Sequence, residues 1–561
     1  MKIKFCRICK SRDLNVVISL GNQKITSIFP KVGEHDNIPI SPVNLCMCSN
    51  CGLIQLEETV DSDSMYKNGN YGYKSSISNT MRNHLKKYNE EISNKVNLKK
   101  GDTVLDIGSN DATFLKYYRN DLNKIGVDPS GEQFRDQYNN IHLLPDYFTK
   151  ESFNKKFGNI KCKIITSICC FYDLPNPVKF AKDINALLDE NGIWSCEQSY
   201  LLTMLKTNSL DTICHEHLEY YALTQVKDIA DRADLKIIDI KFNSSNGGSF
   251  RIYFSKRSSK LHEEATDLLN KILNEEKIYK IKDVSTYKDF TKRCDFELKK
   301  MTDFIEIINQ NNRTIQVYGA STKGNCILQY CNIGPDQIKY AVERNPKKVG
   351  LCTNTGIEII IEEDMRRKPP DFLMVLPWHF KDEIIQREAE YLNNGGQLIF
   401  YFPTFEIISK KPKTLITGCD GFISSYIKEN FTEENNLYGI TRSNNTNEIE
   451  KEIIKSFFDL NDYDKLEYFV KMVNPDNIIH LAGISSSIEA FNNPTKSLQN
   501  NGMITAKLCE IIYKNNNKIR FFNASSSEIY KGHVNYFVKD NNNKSINNTL
   551  HIHPYSIAKI M

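Results

Sequence analysis

Four cysteines fall into two short knuckles, Cys6-Arg-Ile-Cys9 and Cys48-Ser-Asn-Cys51. Two residues between thiols let both reach one ion, and two knuckles close a tetrahedral site of four thiolates. With no position left for water, Cys6, Cys9, Cys48 and Cys51 are expected to hold a structural zinc ion, with Cys46 a spare thiol beside them. A second constellation is His215-Glu216-His217, with Asp211 upstream and Tyr220 and Tyr221 downstream. Zinc hydrolases set their histidines four apart on a helix, with a glutamate between. Here the separation is two, which on a helix turns the rings apart, so proton transfer suits the cluster better than metal binding. A third set closes the chain: Ser525-Ser526-Ser527-Glu528, then Tyr555 and Lys559. The Tyr-x-x-x-Lys spacing puts a phenol and an ammonium one helical turn apart on one face, where they can move a proton beside a nicotinamide.

Strands and turns must hold these groups. Val104 to Ile107 reads as a strand, Gly108-Ser-Asn-Asp as a turn that admits a ligand, and Phe114, Leu115 and Tyr118 as one face of a helix. The next strand ends at Asp128, twenty residues after Gly108, where a carboxylate can take two ribose hydroxyls. Asn110 and Thr113 occupy the second and third glycine positions of a pyrophosphate loop. A ligand with a ribose and no phosphate is therefore expected at Gly108, Asn110 and Asp128, and S-adenosylmethionine is the common one. A second strand–turn–helix, "TIQVYGASTKGNCIL", places Lys323 near a helix N-terminus, suited to a diphosphate, with Tyr318 beside it. A third, from Lys411, carries Gly418 and Gly421, with Ser424 at the third glycine position. Its second strand ends at Thr441-Arg442, and a basic residue there suits the 2′-phosphate of NADP. The expected fold is α/β: an N-terminal zinc-binding region and three Rossmann-like units.

With 73 basic and 69 acidic groups the net charge is +4, which makes no case for nucleic acid or an acidic membrane as partner. No apolar run of about 18 residues crosses a membrane, and "MKIKFCRICK" lacks the apolar core of a secretory signal. Sixteen cysteines in an unsecreted chain are expected to stay reduced, in a cytoplasm.

Taken in order, the two knuckles, "YGYKSS", "DIGSNDATFL", "DTICHEH", "NGGSFR" and "VYGASTKGN" resemble the sugar C-methyltransferase family, from about Cys6 to about Ile408. The resemblance implies methyl transfer from S-adenosylmethionine to a nucleotide-linked 4-keto deoxysugar. It implies His217 as base with Glu216 beside it, and Tyr73 and Tyr71 in a loop lining the pocket. It divides the chain into a zinc region (1–60), a methyltransferase domain (61–255), a helical connector (256–312) and a nucleotide-sugar-binding α/β domain (313–408). Cys214 stands where the family has a tyrosine, and a thiol is a weak donor. That departure keeps O-methylation of a sugar hydroxyl as the runner-up. Ala112 replaces a turn glycine, and His379 an asparagine.

The stretch 412–561 resembles extended short-chain dehydrogenases, the nucleotide-sugar 4,6-dehydratases most closely. That resemblance makes Ser526 the catalytic hydroxyl and Glu528 the acid, with Tyr555 and Lys559 completing the set. The chain stops two residues after Lys559, so a truncated remnant is expected, one the methyltransferase could lose without change. The alternatives are completion by another nucleotide-sugar enzyme, a bifunctional methyltransferase and dehydratase, or a non-catalytic nucleotide-sugar-binding protein.

Overall fold

The computed structural model describes residues 1–61, 63, 74–442 and 450–526. Tyr71, Tyr73, Glu528, Tyr555 and Lys559 lie outside the described residues. The chain forms two compact units: Met1–Leu298 with Val317–Arg366 and Leu376–Lys381, and Lys299–Gln316 with Arg367–Val375 and the residues from Asp382 on.

In the first unit, β1 (Leu14–Lys24), β2 (Ile40–Cys48) and β3 (Ile54–Leu56) pair antiparallel. Helix α1 (Asn79–Lys95) opens on Ser78, whose hydroxyl accepts the Met81 amide at 3.3 Å. Then come β4 (Thr103–Ile107), β5 (Asn123–Val127), β6 (His142–Leu144), β7 (Cys162–Ile168), β8 (Leu188–Ser199), β9 (Glu219–Tyr220), β10 (Leu235–Asn243) and β11 (Ser249–Lys256). Seven of these form one sheet in the order β10-β11-β8-β7-β4-β5-β6, parallel from β6 to β8 and antiparallel beyond. Every residue of β4 is buried, as in a parallel sheet covered on both faces. The two residues of β9 instead join β3, so the segment just after His217 is tied to the N-terminal sheet.

The helix expected after the Gly108 turn is only a 3₁₀ turn at Leu115–Tyr117. Its place in the core is shared with α1, whose Leu85, Tyr88 and Ile92 pack with Phe114, Leu115 and Tyr118. The charged stretch read as a connector forms α2 (Thr266–Ile278) and α3 (Val284–Gln310). Next, β12 (Ile315–Tyr318), β13 (Tyr340–Glu343) and β14 (Glu358–Ile361) run parallel, with α4 (Thr322–Tyr330) following the Gly319 turn.

The second unit holds β15 (Phe372–Val375), β16 (Gln397–Phe400) and β17 (Glu406–Ile408). It also holds a five-stranded parallel sheet, β20-β19-β18-β21-β22, made of β18 (Lys413–Thr417), β19 (Asn436–Thr441), β20 (Ile453–Phe457), β21 (Asn477–His480) and β22 (Arg520–Asn523). Helix α5 (Phe422–Phe431) starts after Gly421. The buried Ser424 hydroxyl bonds the Cys419 and Gly421 carbonyls at 2.6 Å each, which is how a serine fits the third glycine position.

The dehydratase-like stretch does not stand apart within this unit. Asn311 exchanges two hydrogen bonds with the Lys455 backbone, at 2.9 and 2.8 Å. The buried Tyr438 hydroxyl donates to Gln397 at 2.8 Å, Tyr468 to Asp303 at 2.8 Å, and Lys413 Nζ to the Ile407 carbonyl at 3.1 Å.

Candidate active site and metal centre

The Sγ atoms of Cys6 and Cys51 lie 3.5 Å apart, as do those of Cys9 and Cys48, and all four lie within 4.8 Å of one another. Ligands about 2.3 Å from one zinc ion stand roughly 3.8 Å from each other, so the donor set fits the ion. Cys46 is outside the set: its thiol sits on the Gln55 carbonyl at 3.5 Å and burial pushes it up to about 12. The clamp leans on the segment that carries the histidines. Arg7 donates to the Leu56 carbonyl at 2.7 Å and pairs with the buried Glu219 at 3.5 Å, and Gln225 reaches the Cys51 carbonyl at 3.2 Å.

The Gly108 turn lies at the carboxyl end of β4, where the strand order reverses and ligands of such sheets bind. Gly108 has φ +76°, and a Cβ there would meet the Cys170 side chain at 3.0 Å. Asn110, at φ 48°, donates its amide to Asp128 Oδ2 at 2.8 Å and accepts the Ser75 amide at 3.0 Å. Asp128 Oδ1 takes the Ser130 amide and hydroxyl at 2.7 and 2.6 Å. Burial pushes the Asp128 carboxyl up, while these donors pull it back towards the anion. Oδ2 keeps acceptor capacity for a ribose hydroxyl. Asp106 below it, bonded to Thr166 at 2.6 Å, is pushed up to about 7 by burial. Gly108, Asn110 and Asp128 thus come together as the sequence suggested, and they fit an adenosyl ribose.

The His215-Glu216-His217 cluster divides. His215 Nδ1 meets the Thr26 hydroxyl at 3.3 Å, and Glu216 accepts from the same hydroxyl at 3.3 Å. Both anchor the loop after β1, so the structure does not bring Glu216 to the cavity His217 lines. His217 donates Nδ1–H to the Thr212 carbonyl at 2.7 Å, which leaves Nε2 an acceptor. Its ring packs edge-on to Tyr172 at 4.4 Å, in a small cavity with Tyr200, Met204, Thr212 and Tyr220. Loss of solvation, then the Lys323 charge, lower His217 to about 3.

Lys323 sits in the first turn of α4, whose N-cap Ser321 accepts the Gly324 amide at 3.0 Å. Its Nζ donates to the Asn246 carbonyl at 3.3 Å, and Asn246 donates to Cys169 Sγ at 3.1 Å. Trp378 Nε1 donates to the buried Asp211 at 2.9 Å, and Gly247 lies close against the Trp378 ring. His379 has a buried Nδ1 with no partner among the described residues and is lowered to about 3, by desolvation first and then by Lys323. Tyr318 is buried at the end of β12. Cys214, also buried, has its thiol pushed far up by desolvation.

Sequence reasoning missed a buried charged chain. Glu197 accepts from His84 at 2.5 Å, Arg251 at 2.7 Å and Asn243 at 2.9 Å, and Arg251 also reaches Glu91 at 2.7 Å. Arg251 and Glu197 are register partners on β11 and β8, so the available signal was one charge beside buried apolar residues in each strand, Phe250 and Ile252 in one and Cys196 in the other. Glu343 was missed too. It ends the strand after the Gly319 turn, and its carboxylate accepts the amides of Ala320, Arg344 and Asn345 at 3.0, 2.7 and 3.0 Å.

In the second unit, Gly418 has φ +71°, and a Cβ there would strike the Ala482 backbone at 2.9 Å. Gly421 caps α5, and Arg442 is exposed after β19. Asp420 bonds the Thr441 hydroxyl and pairs with Lys455 at 2.7 Å. Ser526 is half-buried just beyond β22.

Four family models match successive stretches: a zinc binding domain over 6–66, a methyltransferase domain over 80–240, a C-methyltransferase C-terminal domain over 244–403, and GDP-mannose 4,6 dehydratase over 415–561. The C-methyltransferase NovU of Streptomyces niveus is 26% identical over 414 residues, covering 72% of this chain and 96% of NovU. GDP-mannose 4,6-dehydratase of Yersinia enterocolitica is 34% identical over 134 residues, 21% of this chain and 36% of the dehydratase. The chain therefore spans about a third of that relative's length. A solved S-adenosylmethionine-dependent methyltransferase of Clostridium acetobutylicum matches 32% of this chain and 93% of its own, at 13% identity and a TM-score of 0.26. Among the described residues no helix is long and apolar enough to cross a membrane.

Proposed function

We propose that this chain, an S-adenosylmethionine-dependent methyltransferase with a zinc-binding domain, methylates the carbon beside the ketone of a nucleotide-linked 4-keto deoxysugar. The observation that carries the reading is His217, whose Nδ1–H is held by the Thr212 carbonyl so that Nε2 is left an acceptor, on a ring that lines a small cavity of the methyltransferase unit. A carbon beside a ketone becomes nucleophilic only when its proton leaves, and a positioned imidazole can take it. Although burial holds His217 near 3, a developing enolate beside the ring favours the imidazolium and raises that value. When bound, S-adenosylmethionine supplies an electrophilic methyl. The chain holds its ribose at Asp128, and Tyr71 and Tyr73 are assigned to the same pocket by resemblance alone.

Cys214 favours a second reading, O-methylation, because the family's tyrosine donor is replaced by a buried thiol. Incubation with methyl-labelled S-adenosylmethionine and a panel of nucleotide 4-keto sugars separates the two. A new carbon–carbon bond by NMR is expected; an O-methyl product would sink the first reading.

The C-terminal stretch is proposed to bind NADP at Gly418, Gly421 and Arg442. Arg442→Ala should weaken NADPH binding and leave NADH binding unchanged, as read by cofactor fluorescence. An equal effect on both would refute the 2′-phosphate role.

A further inference from the structure

We propose that the Lys323 ammonium receives the ketone oxygen of the sugar as negative charge develops there, making Lys323 the electrophilic partner of His217 rather than a diphosphate ligand. The inference rests on the C-methylation reading above.

An enolate oxygen needs a donor aimed at it in a site closed to water. Cys214 cannot serve, being a buried thiol, and the Tyr220 hydroxyl already donates to the Thr212 carbonyl at 3.4 Å. Lys323 lies on the helix that packs against the turn orienting the base: Cys326, three residues on, donates to the Ile213 carbonyl at 2.7 Å. The one hydrogen bond of Lys323 among the described residues, to the Asn246 carbonyl at 3.3 Å, is long and leaves two donors unused. Asn246 ties it to Cys169 at the end of β7, three residues before the Tyr172 that packs on His217. On the other side, Trp378 bonds Asp211, one residue before the Thr212 that orients His217. The ammonium's charge is felt at His217, His379, Asp211 and Cys169 together, as expected of a group standing among them.

The diphosphate role suits the loop less well. Two of the amides near the Gly319 turn are already taken, Ala320 by Glu343 and Gly324 by Ser321. Glu343 also puts a carboxylate against that turn, which opposes a second anion there.

In the step inferred, His217 Nε2 takes the proton from the carbon beside the ketone. The C–H electron pair forms the carbon–carbon double bond, and the carbonyl π pair moves onto the oxygen facing Lys323. The oxygen pair then returns to reform the carbonyl as that carbon bonds the methyl. The methyl–sulfur pair stays on sulfur, leaving a neutral thioether and the proton on His217. No oxidant or reductant is needed.

The test is exchange of that proton with D2O, followed by NMR with S-adenosylhomocysteine in place of the methyl donor, beside steady-state methylation. Lys323→Met should slow both exchange and kcat about a hundredfold, with KM for the sugar changed little. Lys323→Arg should recover part of the loss. Unchanged affinity for S-adenosylmethionine shows each variant to be folded, and Lys323→Gln stands in if Lys323→Met is not. A tenfold rise in KM with kcat and exchange intact at saturation would overturn the inference in favour of a diphosphate ligand, while a C-methyl product from the wild type still upholds the broader reading. An O-methyl product from the wild type removes that reading and this inference together.

Discussion

Three imidazoles in the first unit are held neutral: His215 at about 4, and His217 and His379 at about 3, each chiefly by desolvation. In the unfolded chain a histidine titrates near about 6.5. Between these values the unfolded state binds more protons than the folded one, so stability falls as pH drops below about 6.5. The loss is at most roughly 1.4 kcal/mol per histidine for each pH unit. Raised carboxyls such as Asp106 act in the opposite sense, so the test is a comparison: from pH 7 to pH 5 the melting temperature should fall more, or rise less, in the wild type than in His379→Asn, which removes one of the three groups. Parallel profiles for the two proteins would contradict the neutral assignment of His379. At the active site, His217→Ala should abolish methyl transfer while S-adenosylmethionine still binds, measured by turnover and calorimetry; near wild-type turnover would discard His217 as base. Residue type and spacing pointed to the His215-Glu216-His217 cluster, and the family resemblance to His217 within it. The sequence could not show that His215 and Glu216 face Thr26, because that depends on which way a loop with neither helical nor strand periodicity turns.

Among the elements, the zinc clamp was the most legible because its signal is local: both knuckles are short enough that the spacing alone brings the thiols together. Its consequence is not local. The clamp is braced through Arg7 on Glu219, and β9 pairs with β3, so the segment following His217 is held by the zinc-binding sheet. Cys9→Ser should lower zinc content below one equivalent and lower the melting temperature, since metal binding in such sites contributes directly to folding. Purified wild-type protein free of zinc by metal analysis would remove the idea. The Gly108 turn and Asp128 were legible for the same reason, a strand–turn–strand pattern of fixed length. The helix after the turn was not. Phe114, Leu115 and Tyr118 have helical spacing, yet only a 3₁₀ turn forms, with Tyr88 of α1 meeting Phe114 edge-on at 5.4 Å. Tertiary packing overrode the local pattern, and Arg251 with Glu197 was hidden likewise, as strand pairing is non-local.

For the whole molecule, the expectation that 412–561 can be removed without effect meets a physical objection. The sheet β18–β22 has its own strands, as the repeated strand–turn–helix pattern implied, but independence also requires a surface that needs no cover. Within the second unit, Phe304 and Tyr438 are fully buried with ring centroids 6.3 Å apart. Asn311, Arg313, Gln397 and Asp303 each have a hydrogen-bond partner beyond Lys410, in Lys455, Lys451, Tyr438 and Tyr468. Ending the chain at Lys410 removes those partners and opens Phe304 to solvent. Each hydrogen bond contributes about 0.5–1.5 kcal/mol net, and an aromatic side chain losing its cover costs about 1.5–3 kcal/mol. The truncated protein should therefore melt several degrees lower and express less solubly. Its kcat per folded molecule should stay near wild type, because His217, Lys323 and Asp128 all belong to the first unit. Thermal melts and active-site titration of the two lengths decide it. An unchanged melting temperature would restore the dispensable remnant, whereas a fall in kcat at full folding would mean that the C-terminal stretch takes part in the methyltransferase itself.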